Sequence, residues 1–113
     1  MTVDEIISNL EDMVNKKIPM SPQWYLEQAQ KLVVLMGDET DLLHKSQRQV
    51  AFLKVQEIEK GKSVAEAKLR SENSQDYVNM QNQKAKCERI IEIIRIAKIQ
   101  SRMRNEEYKS NNL

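Results

Sequence analysis

The stretch Gly61-Lys62-Ser63-Val64-Ala65-Glu66 is the clearest turn signal in the sequence. Glycine commonly follows the end of a helix, and Ser63 with Glu66 forms a capping box that begins a new one. Because so short a connection usually joins antiparallel neighbours, the helices on either side should fold back on each other. The sequence therefore predicts a long antiparallel helical hairpin around this turn.

A long helix is predicted before the turn, over residues 22–60. Ser21 followed by Pro22 is typical of an N-cap with proline at the first helical position. Side chains then recur at alternating spacings of four and three, a coiled-coil register in which Glu39 and Ser46 are the polar members. The apolar members of this seam are Tyr25, Ala29, Leu32, Met36, Leu43, Val50 and Leu53.

Gly37 lies inside this helix, where glycine costs about 1 kcal/mol relative to alanine. We expect the helix to continue through it, with a kink or a break as the alternative. After the turn the sequence contains no further glycine or proline. The polar stretch 71–76 is the one place where the third helix can divide, with Ser74 as a candidate cap. The alternatives are a split helix, over 63–73 and 75–109, and a continuous one.

A short amphipathic helix is predicted at the N-terminus, over residues 2–17. Thr2 and Glu5 form its capping box. Six apolar side chains follow at helical spacing and share one stripe. They are Val3, Ile6, Ile7, Leu10, Met13 and Val14. Together these segments predict an all-α fold in a single domain, residues 1–113.

The composition agrees with one helical domain. A chain of 113 residues and 13.2 kDa excludes multidomain enzymes, and its 31% charged residues and two glycines are far from β-sandwiches. The longest apolar run, 32–36, is far shorter than the roughly 20 residues of a bilayer span, and residues 1–10 are acidic where a signal peptide is basic. A single cysteine, Cys87, fits a reducing compartment, so we expect a cytoplasmic protein without membrane contact.

Isoleucine is concentrated in the last predicted helix. The apolar side chains of this helix, including Met103, cover an arc of about 220° on a helical wheel at about 100° per residue. One packed neighbour cannot cover such an arc, so we expect several subunits to surround this helix in a homo-oligomer. The predicted oligomerisation residues are Ile90, Ile91, Ile93, Ile94, Ile96, Ala97 and Ile99. The alternative is an intramolecular core helix of a four-helix bundle.

Charge is distributed unevenly along the chain. Residues 1–41 contain eight acidic and three basic residues, whereas residues 42–70 contain three acidic and seven basic. This asymmetry favours a polyanion surface or self-complementary packing, and ordinary solvated helix surfaces are the alternative. The candidate nucleic-acid-binding residues form a predicted basic strip of Lys45, Arg48, Lys54, Lys60, Lys62, Lys68 and Arg70.

Aromatic side chains supply possible stacking surfaces for bases. Trp24, Tyr25, Phe52 and Tyr77 have the chemistry for stacking, yet each also fits a core position, and we expect Tyr25 and Phe52 in the core. The sequence contains no RRM, KH, zinc-finger or helix-turn-helix signature. Nucleic-acid binding should therefore be independent of base sequence and sensitive to salt.

The sequence lacks the residues and motifs that common catalytic and metal sites require. His44 is the only histidine and Cys87 the only cysteine, and there is no glycine-rich phosphate loop. A nucleophilic pair of these two is disfavoured because Cys87 shares an apolar helix face with Ile91 and Ile94, where a buried structural thiol is expected. We therefore expect no enzyme, no metal site and no cofactor.

The order of these features resembles the UvsY-type recombination mediators of T-even-like bacteriophages. The likeness covers roughly residues 10–103. It is carried by an acidic amphipathic start ending in Lys16-Lys17, a helix entry from Ser21 that continues as Tyr-Leu-Glu-Gln-Ala, the run Val50-Ala51-Phe52-Leu53-Lys54, a glycine turn and an apolar C-terminal helix. The chain departs from the family pattern in a shorter second helix and in Val55-Gln56, where further basic residues are expected.

The resemblance implies a ring-like homo-oligomer that binds single-stranded DNA, helps displace the single-strand-binding protein and loads a recombinase onto the strand. Lys54 is the first residue carried over as a DNA contact, and we expect Lys54→Ala with Arg48→Ala to weaken binding without unfolding the protein. The leading hypothesis is an oligomeric, non-catalytic mediator that binds single-stranded DNA. The alternative is a helical adaptor or phage structural component without a DNA role, and an inhibitory DNA mimic ranks last because only residues 1–41 are acidic.

Overall fold

The computed structural model describes residues 1–111, and within that range the chain is all-helical, as predicted. The helices are α1 (Val3–Asn15), α2 (Pro22–Glu59), α3 (Val64–Glu72) and α4 (Gln75–Asn111). Asn112 and Leu113, the end of the predicted domain, lie outside the described residues.

Each helix begins at a hydroxyl side chain that accepts a hydrogen bond from the backbone N–H three residues later. The capping residues are Thr2, Ser21, Ser63 and Ser74, with oxygen to nitrogen distances of 3.1 or 3.2 Å. Such a bond satisfies one of the N–H groups that a helix start leaves without an intrahelical partner. All four predicted caps are confirmed, and of the two alternatives for the third helix the structure has the split one, α3 and α4.

The turn after α2 is closed by Gly61, which adopts a φ of 90°. In this conformation the Gly61 N–H donates to the carbonyl of Ile58 at 3.0 Å, and the Lys62 N–H donates to the carbonyl of Glu57 at 3.1 Å. This pair of bonds is the Schellman motif, which satisfies the last carbonyls of a helix and needs a left-handed residue. The predicted helix stop is confirmed.

The end of α1 uses the same motif without glycine. Lys17 has a φ of 55°, its N–H donates to the carbonyl of Val14 at 3.2 Å, and the Ile18 N–H donates to the carbonyl of Met13 at 3.1 Å. α1 therefore ends at Asn15, two residues before the predicted end. A lysine in the left-handed region carries no sequence signal comparable to glycine.

α2 runs without interruption through Gly37, so the predicted continuity is confirmed. The reason is the seam: every predicted seam position from Tyr25 to Leu53 is buried or half-buried, including the polar Glu39 and Ser46. Packing along this seam outweighs the propensity cost of about 1 kcal/mol at a single exposed glycine.

Packing contacts group the chain into two compact units. The terminal unit comprises Met1–Gly37 and the part of α4 that begins at Arg89, and the central unit comprises Asp38–Glu88. The terminal unit holds a dense apolar core in which α1 packs against the start of α2 and the middle of α4. The buried core residues are Val3, Ile6, Ile7, Leu10, Ala29, Leu32, Ile90, Ile93 and Ala97.

This core corrects part of the predicted oligomer interface. Ile90, Ile93 and Ala97 are covered by the chain's own α1 and α2, so they stabilise the folded chain instead of contacting other subunits. Ile94 and Ile96 are half-buried, and only Ile91 and Ile99 are exposed. The prediction from the arc was wrong for the three buried residues because it did not count the apolar stripe of α1 as a covering surface.

None of the helices in residues 1–111 is both long enough and apolar enough for a transmembrane span.

Candidate nucleic-acid interface

The second half of α2 carries a basic and apolar stripe on the side opposite the seam. Lys45, Arg48, Phe52 and Val55 follow one another at spacings of three and four, which places them on one helix face, and all four are exposed. This set is called the α2 outer face below. It lies within the central unit, which buries few side chains of its own.

Phe52 overturns a sequence-based expectation, because its ring is 62% exposed and not in the core. The seam explains its direction. Val50 and Leu53 point inward, and a residue two positions after Val50 is rotated by about 200° from it. Tyr25, the other aromatic expected in the core, is fully buried. The seam register by itself therefore predicts that Phe52 faces solvent.

The centre of the α2 outer face carries two positive charges, and the exposed Asp41 and Glu59 lie at its two ends, one turn before Lys45 and one turn after Val55. Between Asp41 and Glu57 the sequence contains Lys45, Arg48 and Lys54 and no acidic residue. Within residues 1–111, no ion pair involves Lys45 or Arg48. Their charges are therefore not offset by a partner within the described part of the chain, and they face solvent.

The other members of the predicted basic strip do not continue this face. Lys54 is half-buried and lies nine residues from Lys45, a rotation of about 180°, so it projects from the other side of α2. Lys60 and Arg70 converge on the carboxylate of Glu57, each at 3.8 Å. The predicted single strip is thus corrected: helix periodicity separates Lys54 from Lys45, and Glu57 partly offsets two further charges.

The two remaining members lie near the turn and on α3. Lys62 is half-buried in the turn, and Lys68 is exposed on α3. α3 packs through the buried Ala67 and Ser71, and its Leu69 and Val64 are largely exposed. Of the seven predicted basic residues, only Lys45 and Arg48 share an exposed face with an aromatic ring.

A polar cluster interrupts the seam of the central unit, and we call it the seam cluster. Gln83 donates its amide to both the side chain of Glu39, at 2.7 Å, and the backbone carbonyl of the same residue, at 2.9 Å. The ammonium of Lys86 lies 3.2 Å from the Glu39 carboxylate, and the Cys87 thiol donates to the Glu39 carbonyl at 3.5 Å. These bonds satisfy a polar side chain that the seam removes from water.

The seam cluster shifts two pKa values. The hydrogen bond from Gln83, aided by Lys86, lowers the pKa of Glu39 despite its burial. Burial raises the pKa of the Cys87 thiol, and the nearby Glu39 charge raises it further. A thiol with a raised pKa is a poor nucleophile, which agrees with a structural Cys87.

A second exposed surface lies on α4 in the terminal unit. Ile96, Ile99 and Met103 follow at spacings of three and four, and Ile99 and Met103 are 43% and 49% exposed. This set is called the α4 stripe. It borders a groove of about 440 Å³ between α1 and α4, beside the ion pair of Glu11 with Arg89. Ile96 is half-buried against the core, and Ile99 and Met103 form the part of the stripe that the described part of the chain leaves uncovered.

Residues 1–111 contain no cluster of three or more histidine, cysteine or carboxylate side chains that could hold a metal ion. No protein-family model matches the chain, and neither a curated protein nor a solved structure does. A functional assignment therefore depends on the chemistry of the two exposed surfaces.

Proposed function

We propose that this protein is a non-catalytic, single-stranded-DNA-binding recombination mediator that acts as an assembly of several copies. The observation that supports DNA binding is the α2 outer face, where Lys45 and Arg48 are exposed without ion-pair partners among residues 1–111, in a stretch free of acidic residues. The roles in loading a recombinase and displacing the single-strand-binding protein rest on the family resemblance of the sequence.

Two cations on one face are suited to a phosphate backbone. Lysine and arginine that neutralise phosphates release bound counterions, and this release supplies affinity without reading the base sequence. Two such contacts give weak binding in one copy. Several copies held together bind the same strand in a multivalent manner, and the second and later contacts then form at a high effective concentration.

The α4 stripe is the surface proposed to hold the copies together. Ile99 and Met103 expose apolar area that a monomer gains nothing by presenting to water. A helix from another copy of the protein would cover this stripe by packing against it. The buried Ile90, Ile93 and Ala97 take no part in this proposed contact.

The proposal is tested by fluorescence anisotropy with a labelled oligothymidylate, comparing the wild type with the double variant Lys45→Ala/Arg48→Ala. We expect affinity to fall by about tenfold or more, because two charge-assisted contacts are lost. The matched control is Lys31→Ala/Lys98→Ala, which removes the same charge from exposed positions elsewhere and should bind nearly as the wild type does. Equal losses in both variants would contradict a defined site.

Salt dependence gives an independent test of the same site. For a single strand, the slope of log K against log salt concentration is about −0.7 for each phosphate contact. The double variant should therefore have a slope about 1.4 shallower than the wild type, per copy engaged. Lys54 lies on the other side of α2 from Lys45. The variant Lys54→Ala, assayed alongside, therefore tests separately the DNA contact that the family resemblance implies.

The second candidate function is a protein adaptor, and the α4 stripe is the observation that favours it. In that case a different protein docks on the stripe, and the basic residues of α2 only keep the helix surface hydrated. The two functions differ in one simple result. Wild-type protein that fails to bind the oligothymidylate at low salt supports the adaptor and excludes the mediator.

A further inference from the structure

Phe52 is the only phenylalanine in the chain and the one exposed aromatic residue among those whose side chains are described. Trp24 and Tyr77 are half-buried, and Tyr25 is buried. Trp24 packs edge to face on Tyr25 with ring centroids 5.1 Å apart. These three aromatic rings therefore have partners or cover within the chain, whereas the Phe52 ring is left with an open face.

We propose that Phe52 is the residue on which a base of the bound strand stacks, and that this contact makes the α2 outer face selective for single-stranded over duplex nucleic acid. The inference rests on the proposed function, since it assigns a specificity-determining residue to the same site. Neither the phosphate contacts nor the oligomer requires Phe52.

The positions of the cations on α2 support this assignment. Arg48 lies four residues before Phe52 and Lys45 seven residues before it, about 6 Å and 10 Å along the helix axis. A nucleotide whose base stacks on the ring thus has its phosphate, and that of its neighbour, within reach of long cationic side chains. Stacking on aromatic rings that lie beside basic residues is how sequence-neutral single-strand sites bind their ligand.

Single strands and duplexes differ in what they offer this face. In a duplex each base is paired and stacked between neighbours, so its flat surface is closed to the ring, while the phosphates remain accessible. In a single strand the bases can turn out and stack on a side chain. Lys45 and Arg48 therefore contact both forms, and Phe52 contributes only to the single strand.

The charge of the face argues against a second copy of this chain as the occupant. In a symmetric dimer through this surface, the face that carries Lys45 and Arg48 would pack against the same positively charged face of its partner. Like charges brought together in an interface are repulsive, and the centre of the face, from Lys45 to Val55, holds no acidic residue to relieve them. A polyanion carries the complementary charge.

The test compares three substitutions at Phe52, using a labelled oligothymidylate and a duplex of the same length as probes. Phe52→Leu is the decisive variant, because it keeps an apolar side chain and removes the aromatic ring. We expect Phe52→Leu and Phe52→Ala to lower single-strand affinity by about 5- to 150-fold and to leave duplex affinity unchanged. Phe52→Trp should retain single-strand affinity.

Fluorescence supplies a direct signature of stacking. The wild type contains one tryptophan, Trp24, which lies outside the central unit, so oligothymidylate should leave its emission nearly unchanged. In Phe52→Trp the added indole should be quenched by the oligothymidylate and not by the duplex. Circular dichroism should show unchanged helicity in all variants, because residue 52 is exposed.

Three results would overturn the inference. They are wild-type single-strand affinity in Phe52→Leu, an equal loss for single strand and duplex, or a change in oligomeric state caused by Phe52→Ala, which would make the ring a protein contact. Each of them leaves the proposed function standing if Lys45→Ala/Arg48→Ala still weakens binding. Failure of the wild type to bind any oligonucleotide would instead contradict both the proposed function and the role of Phe52.

Discussion

The side-chain amide of Gln83 donates a hydrogen bond to the carboxylate of Glu39 at 2.7 Å, although 44 residues separate them in sequence. Lys86 lies 3.2 Å from the same carboxylate. A shift of α2 along α4 by one turn would leave this half-buried carboxylate without partners, which costs more than the net gain of an ordinary hydrogen bond. The seam cluster therefore fixes the register of the two helices in the central unit.

Glu39→Gln should destabilise the protein in a pH-dependent manner. The hydrogen bond from Gln83 and the charge of Lys86 lower the pKa of Glu39, so folding favours its ionised form. That stabilisation is fully present above the ordinary glutamate pKa of about 4.3 and is lost as the pH falls through the lower pKa of the folded state. Urea unfolding at neutral pH should show wild type about 1–2 kcal/mol more stable than the variant, with the gap closing in acid.

Glu27→Gln is the control for this prediction, since Glu27 is an exposed carboxylate on the same helix. Its unfolding free energy at neutral pH should lie within about 0.5 kcal/mol of the wild-type value. A gap between wild type and Glu39→Gln that stays constant into acid would show that the ionised carboxylate does not contribute.

Ile90 and Ile91 are adjacent in sequence but 0% and 49% exposed. Ile90→Ala removes apolar atoms from the core and should lower the free energy of unfolding by about 2–5 kcal/mol. Ile91→Ala should change it by less than about 1 kcal/mol. Thermal and urea unfolding of the two variants measure the difference directly, and similar losses would argue against the packing of α1 on this face of α4.

The two glycines should respond to alanine in opposite directions. Gly37 is helical and exposed, with open space where the methyl group of an alanine would lie, so Gly37→Ala should stabilise the protein by about 0.5–1 kcal/mol. Gly61 has equal space but a φ of 90°, so Gly61→Ala should destabilise it by about 1 kcal/mol or more through backbone strain. Midpoints of urea unfolding that move in the same direction for both would contradict the turn geometry.

Assembly should depend on the α4 stripe. Ile99→Glu places a charge in the proposed contact, and sedimentation velocity should show a smaller species than the wild type at the same concentration. Lys98→Glu, at the exposed neighbouring position, is the matched control and should leave the sedimentation coefficient unchanged. A wild type that sediments as a monomer at high concentration would contradict assembly altogether.

The helical segments can be predicted from the sequence because their signals are local. Ser63 and Gly61 act within one turn of their own position, and the seam from Tyr25 to Leu53 follows from periodicity alone. The burial of Ile90 depends on where α1 docks, which no local signal specifies. The α2 outer face is predictable only in part, because excluding Lys54 requires the helix rotation to be counted from Lys45.

The most direct test of strand binding is ultraviolet crosslinking of the wild type to an oligothymidylate, followed by trypsin digestion and mass spectrometry. Trypsin cleaves after Arg48 and Lys54 and so releases residues 49–54, which contain Phe52, as one peptide. We predict that this peptide carries the main crosslink, and that Lys45→Ala/Arg48→Ala reduces the yield on the peptide that contains Phe52. Crosslinks confined to other helices, or a yield that does not depend on the two cations, would contradict binding of the strand along the α2 outer face.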